Sequence, residues 1–447
     1  MAIGNEITVP VEKIALGGDG LGSHEGKKVF IPLSAPGDIV KARITEEHDS
    51  WAKAEISEIY EYSAGRIEPA CPYYGVCGGC SLQHLSYEAQ LEAKKAILTE
   101  ELAKTRRKST KDEVRRPEDG REPEMVPDVL VIPSNPWEYR NRVSLHAAYR
   151  AHSEGKTILN RRKTGISPGK KAGSPPHCGF KARKSEAVIP LDDCPAAESG
   201  IRNILPNLLP PPGKDRFTLY SLGGTMLAET GTSVSGGEKN RRQIPNRGTI
   251  SLLKKEITLE ASSFFQSNAG ALEKLIAYLR KAAEDAVGNT GTAGIAGIAG
   301  NPDEQRIADL YAGAGTLSLF LADLFPGGID LVETDCSAIE MAKINLAKTK
   351  SSCRYFPQKT ELWVKKRNLG GYGFIVADPP RQGLSPLIIQ SLCQSGPPVF
   401  VYVSCEASTF ARDCRLLAQN YRPKDIFLFD FYPQTAHIET MGIFVRK

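Results

Sequence analysis

From Arg306 to the end of the chain the sequence alternates short apolar runs with helical or loop stretches. The runs are RIADL, IDLVE, GFIVAD, VFVYVS and IFLFD, and TMGIFVR closes the series. Strands that alternate with helices call for an α/β domain with a mostly parallel sheet. A helix leads into it: Asn268 is placed to cap one whose Leu272, Leu275, Ile276 and Leu279 share a face. The whole chain has 447 residues, enough for two or three domains.

The first apolar run ends in a glycine turn, RIADLYAGAGTLS. Gly313 and Gly315 let the backbone approach a ligand, and the helix that begins at Thr316 offers free N–H groups. Glu333 ends the next run, where a carboxylate can hold ribose hydroxyls. Ser318 stands where a dinucleotide fingerprint has its third glycine, so the pattern favours a mononucleoside ligand such as S-adenosylmethionine. In an open parallel sheet, ligands sit beyond the carboxyl ends of the strands. Asp378, in ADPPR, and Cys405, in VSCEAST, both stand at such ends.

A thiol beside a methyl donor suggests one chemistry. C5 of a pyrimidine is a poor nucleophile until a thiolate adds at C6. A base must then remove the C5 proton so that the thiol can leave. Glu439, in HIETMGIFV just before the last strand, is the candidate base.

The ordered set FFQSN, DLYAGAGTLSL, LVETD, ADPPR, VSCEAST and HIET resembles the RNA uridine-C5 methyltransferase family, iron–sulfur type. The motifs run from Phe264 nearly to the C terminus, and residues 1–62 resemble the TRAM domain, an RNA-binding barrel. The resemblance implies a class I, Rossmann-like methyltransferase domain that uses S-adenosylmethionine. It implies that Gln266, Tyr311, Gly313, Gly315, Glu333 and Asp378 hold the cofactor, that Cys405 is the nucleophile, and that Glu439 removes the proton. One departure is Lys359 in PQKTE, where relatives often carry a small polar or acidic residue on the adenine side.

Residues 1–60 read independently as short strands with glycine turns; Val40, Ala42 and Ile44 alternate with Ile39, Lys41 and Arg43, as in a small barrel. PACPYYGVCGGCSLQ follows, with Cys71, Cys77 and Cys80. The spacing matches neither a zinc finger nor a secreted disulfide framework. It suits a thiolate-bound iron–sulfur cluster with a distant fourth ligand, Cys178 or Cys194, with zinc as the rival metal. Cys194, like Cys71, precedes a proline. The family's cluster-bearing members have their fourth ligand in a setting like GFKARKSEAVIPLDDCP, which points to Cys194 and a [4Fe–4S] cluster.

A helix is expected from about Tyr87 to Lys104, then a charged surface excursion over 105–124, then β-rich sequence to 258. Nine Lys/Arg against Glu154 alone lie between Arg140 and Lys171, a bias that suits a polyanion. No signal peptide or membrane-spanning run is present, which points to a cytoplasmic monomer without membrane partners whose ten cysteines are mostly reduced. The expected division is a TRAM/OB-like barrel over 1–62, a central β-rich iron–sulfur domain over 63–258 and a methyltransferase domain over 259–447. The expected activity is uridine-C5 methylation of RNA, with barrel and cluster together favouring 23S ribosomal RNA. The alternatives are a transfer-RNA enzyme of the same chemistry and a non-catalytic RNA-binding protein that retains a cofactor pocket.

Overall fold

The computed structural model describes residues 2–109, 127–148, 177–235, 241–288 and 306–447. Most of the basic run, Arg150 to Lys171, lies outside these residues, as does most of the 105–124 segment. The helix after the cysteine loop spans Tyr87–Ser109, so it continues past Lys104 into what reads as a linker.

Contacts group the chain into two compact units. The first gathers Met1–Ala93, Asn135–Gly248 and the short piece Tyr432–Ala436; the second gathers Lys94–Ser134, Thr249–Phe431 and His437–Lys447.

The first unit opens with a closed five-stranded barrel made by Glu6–Ile14, Gly20–His24, Lys27–Ile31, Ile39–Glu47 and Trp51–Glu61. Its interior holds Val9, Val29, Ile31, Val40, Ala42 and Ile44. The alternation along Ile39–Glu47 therefore does what period-two patterning requires. A five-stranded sheet follows, ordered Thr225–Ala228, Arg216–Leu222, Arg142–Ala148, His177–Lys181 and Val188–Pro190. Its face packs Val143, Leu145, Phe217 and Leu219 against Ile201 and Leu205.

The second unit is built on one eight-stranded sheet. The order runs Cys353–Pro357, Ile329–Glu333, Arg306–Leu310, Tyr372–Ala377, Val399–Ser404, Glu439–Arg446, Tyr421–Phe429 and Val129–Ile132. The first five are parallel neighbours. Strand order turns back between Arg306–Leu310 and Tyr372–Ala377, and that reversal opens a crevice at their carboxyl ends. Glu439–Arg446 runs antiparallel between its two neighbours, which the strand–helix alternation did not indicate. Val129–Ile132, read from sequence as part of the central β region, instead adds a parallel edge strand beside Tyr421–Phe429. Four residues, VLVI, carry no register information of their own, so only the edge they meet places them.

Candidate active site

The strand Arg306–Leu310 ends in a turn whose backbone is forced into the left-handed region three times, at Tyr311, Gly313 and Gly315. For glycine this costs little; for Tyr311 it is strained, and such positions persist only where their surroundings hold them. Here the Tyr311 and Ala312 N–H groups both donate to Val332 O, at 2.9 and 3.1 Å. A side chain at Gly315 would collide with Leu331, Ala342 and Leu346 at 3.1–3.2 Å, so that glycine serves close helix packing. Gly313 faces open space, where a ligand can approach its backbone.

Gln266, Asp309, Tyr311, Gly313, Thr316 and Asp378 line one pocket at this crevice. Gln266 Oε1 is buried there with no hydrogen-bond partner. Asp309 is the residue that sequence reasoning missed. It is buried, takes the Ser318 N–H and Oγ–H on Oδ2 at 3.2 and 2.7 Å, and leaves Oδ1 without a partner. Burial above all, with Asp378 and Glu333 adding negative charge, pushes its carboxyl up to about 7. A lone acid inside the apolar run RIADL, one residue before a glycine turn, was the available signal.

Glu333 and Gly315 are not in that lining. Glu333 stands one step away: its Oε2 accepts from Gly313 N at 3.0 Å, and its Oε1 from Thr334 N and Asp335 N at 2.6 and 2.8 Å. A carboxylate so gripped is preset in orientation for a diol. A second cavity at the ends of Ile329–Glu333 and Cys353–Pro357 is lined by Tyr311, Thr334, Lys359, Thr360 and Glu361. Tyr311 belongs to both cavities, so the expected adenine-side departure, Lys359, sits on a continuation of the same crevice.

Cys405 and Glu439 are brought together by register. Ser404 pairs with Thr440 in the antiparallel ladder, so the next residue of one strand stands opposite the first of the other. Glu439 is buried, and its Oε1 has no hydrogen-bond partner. Burial first, and Asp378 next, hold the Glu439 carboxyl well above its usual range, with Arg381 opposing. Burial pushes Asp378 up to about 6. The Cys405 thiol is pushed up to about 11 by burial, then by the charges of Glu439 and Asp378, against a smaller pull from Arg381. A thiol, two carboxyls whose pKa values burial raises and a guanidinium thus meet where the strands before Asp378 and Cys405 end and the last strand begins. Arg381, in the loop after Asp378, is a further member that motif reading did not single out.

In the first unit, Cys71, Cys77, Cys80 and Cys194 line a single pocket together with Arg140 and Asp193. The loop is pinned to the end of His177–Lys181: Gly78 N donates to Lys181 O at 2.9 Å and Arg183 N to Val76 O at 2.8 Å. The Cys194 segment is pinned to Arg140, whose N–H donates to Ala196 O at 2.9 Å and whose carbonyl accepts from Glu198 N at 3.0 Å. Burial raises all four thiols, Cys77 to about 11 and Cys80 to about 12. Asp193 is committed to Arg202 through two bonds of 2.7 and 2.9 Å, so it does not neutralise Arg140. The Arg140 Nε is buried without a partner. Cys178 lies elsewhere, in the apolar core, with its thiol donating to Leu208 O at 3.4 Å. Among the described residues, no three of His, Cys, Asp and Glu stand close enough to hold a single metal ion. All ten cysteines are free thiols.

A TRAM domain model matches residues 2–57, and a tRNA (Uracil-5-)-methyltransferase model matches residues 295–447. An RNA methyltransferase of Treponema denticola is 29% identical, with 98% of this chain and 99% of that one aligned. The 23S rRNA (uracil(1939)-C(5))-methyltransferase RlmD of Shewanella sediminis is 27% identical over 98% of this chain and 96% of its own. Its namesake in Shewanella denitrificans is 26% identical over 96% and 93%. Among solved structures, the Pyrococcus abyssi tRNA (uracil-54, C5)-methyltransferase in complex with S-adenosyl-L-homocysteine superimposes with a TM-score of 0.65 at 22% identity, covering 98% of this chain and all of that one. Fold and crevice define an S-adenosylmethionine-dependent methyltransferase joined to a TRAM barrel. More specifically, the chain is an RNA uracil-C5-methyltransferase. Among the described residues no helix is long and apolar enough to cross a membrane.

Proposed function

We propose that this enzyme methylates uridine C5 in 23S ribosomal RNA, through a covalent bond between Cys405 and C6 of the base. The observation that carries the reading is the ladder register that sets Cys405 opposite Glu439, beside Asp378. The bound cofactor supplies an electrophilic methyl group. The protein's residues do the rest. The Cys405 thiolate forms the S–C6 bond, and the electron pair this drives onto C5 makes that carbon the nucleophile. After methyl transfer, Glu439 takes the C5 proton and the S–C6 bond breaks, which returns the pair to the ring and the thiolate to Cys405. Gln266, Tyr311, Gly313, Glu333 and Asp378 would hold the cofactor, with Asp309 behind the turn, and Gly315 packs the helix that closes it. The RlmD relatives, at 26–27% identity against 22% for the transfer-RNA enzyme, favour ribosomal over transfer RNA. A cytoplasmic monomer fits this role.

The test uses RNA and a methyl-labelled cofactor on denaturing gels. Cys405→Ala should form no covalent complex. Glu439→Gln should transfer the methyl group, then stall with elimination slowed roughly 10²–10⁴-fold, leaving a labelled, retarded band. Wild-type turnover by Glu439→Gln would assign the proton to another group. Mapping 5-methyluridine in ribosomal and transfer RNA from a deletion strain decides the substrate.

The same reading assigns the cysteine pocket to a [4Fe–4S] cluster held by Cys71, Cys77, Cys80 and Cys194. What supports this is the donor set: four thiols line one pocket with the half-buried Arg140, whose buried Nε has no hydrogen-bond partner among the described residues. Four thiolates on such a cluster leave net negative charge, which Arg140 would offset. The methylation is closed-shell, so the cluster would serve structure or RNA positioning. Anaerobically purified protein should be brown and contain about four irons; stoichiometric zinc without iron would overturn the assignment.

A further inference from the structure

Gln434 is buried, is not glycine, and yet has a left-handed backbone with φ of 67°. A conformation of that kind costs on the order of 1–3 kcal/mol and survives only where several contacts impose it. At Gln434 five hydrogen bonds do so. Its carbonyl accepts from both Ser81 N and Leu82 N at 2.9 Å. Its N–H donates to Gln90 Oε1 at 2.8 Å, and its Oε1 accepts from Gln90 Nε2 at 3.0 Å. Its Nε2 donates to Pro136 O at 3.2 Å. Nearby, Ser81 Oγ accepts from Ala436 N at 3.1 Å, and Tyr139 Oη donates to Pro433 O at 2.9 Å.

The donors matter as much as the strain. Ser81 and Leu82 directly follow Cys80, and Gln90 lies in the first turn of the helix after that loop. The segment they grip, Tyr432–Ala436, is the connection that leaves strand Tyr421–Phe429 and delivers Glu439 at the start of the last strand. Two residues separate the gripped Ala436 from Glu439. Over so short a tether, a backbone pinned at Gln434 restricts where the carboxylate begins its strand. General-base catalysis tolerates little error in that position.

We infer that the cysteine loop is a positioning device for the proton-abstracting step: Ser81, Leu82 and Gln90 hold Gln434 in its left-handed turn and thereby aim Glu439. These are positioning residues, and the inference rests on Glu439 being the base. It gives the cysteine pocket a use that requires no electron transfer. Anything that orders the Cys71–Cys80 loop sharpens the aim of Glu439.

The experiment separates adduct formation from adduct decay in single turnover, with full-length protein, RNA and a methyl-labelled cofactor. Gln90→Leu removes two of the clamps. It should form the labelled covalent complex within about twofold of the parent rate and resolve it roughly ten- to a hundredfold more slowly. Ser81→Ala, which removes one bond and leaves the helix intact, should slow decay by about two- to fivefold with an unchanged melting temperature. Cys77→Ser should slow decay as Gln90→Leu does. A merely structural defect would lower formation and decay together. Decay at the parent rate in both Gln90→Leu and Ser81→Ala overturns the inference, and so does an equal loss of both steps in Ser81→Ala. Glu439→Gln is the control: if it builds no complex, the assignment of the base has failed instead.

Discussion

Burial raises the thiol of Cys405 and the thiols of the four pocket cysteines alike, but the charges around them differ in sign. Beside Cys405 stand two carboxyls, Asp378 and Glu439, and the exposed Arg381. Around Cys71, Cys77, Cys80 and Cys194 stand the other thiols, the half-buried Arg140 and an Asp193 engaged by Arg202. In the first setting burial, with the two carboxyls adding to it, raises the nucleophile's thiol. In the second, four protons can leave together only if something cationic replaces them. On the proposal above, the same side chain would serve as nucleophile in one unit and as ligand in the other.

The largest expected effect tests the ligand half. Cys194→Ser should abolish iron binding, while Cys178→Ser should keep the full iron content and lose about 1 kcal/mol of stability, because only a weak core bond to Leu208 goes. Iron analysis and thermal melting on the two variants check this. Equal iron loss in both would break the contrast.

Next comes the carboxylate half. Asp309 titrates near 7 in the folded chain against an ordinary value of about 3.9. A raised folded pKa means that its stabilising contribution is complete below about pH 4 and lost as pH rises through 7. Asp309→Asn, which cannot ionise, should match the parent at pH 4 and exceed it by up to ~4 kcal/mol at pH 8 without ligand. Denaturant titrations at the two pH values measure it, and an unchanged difference would place the charge elsewhere.

RNA charge gives a smaller effect. Within residues 1–62 there are 6 Lys/Arg and 11 Asp/Glu, so the barrel cannot supply the electrostatic attraction by itself. Reversing Arg161, Arg162 and Lys163 to glutamate should weaken binding and flatten its salt dependence by about 0.7–0.9 per lost phosphate contact. Identical slopes before and after would make that run irrelevant to binding.

The smallest effect bears on Cys405 directly. Its alkylation by iodoacetamide should quicken about tenfold per pH unit between pH 7 and 10, as the thiolate fraction rises below a pKa of about 11. Glu439→Gln removes the leading negative neighbour and should speed alkylation severalfold at pH 8. Mass spectrometry of the Cys405 peptide reads both.

Much of this was written in local sequence. The period-two alternation of Val40, Ala42 and Ile44 dictates a half-buried strand, because side chains on a pleated backbone must alternate. The glycines of the RIADLYAGAG turn were legible because a residue without Cβ adopts φ of 72° at little cost and avoids crowding Leu331 and Ala342. Asn268, the expected cap, does accept from Ala271 N at 3.0 Å. What no window of sequence contains is pairing across distance. That Cys405 faces Glu439 follows from a ladder between strands far apart in the chain, and that the VLVI strand completes the last edge depends on which edge was left open. The step into Pro195 set Cys194 apart from Cys178 in the sequence, but only the packing of their segments buries Cys178 in the core and leaves Cys194 lining the pocket. Local residues determine what each segment can be, since backbone sterics and side-chain periodicity act over a few residues. The tertiary structure decides which charges and thiols share a site, since burial and Coulombic coupling act through space and are undefined until the chain has folded.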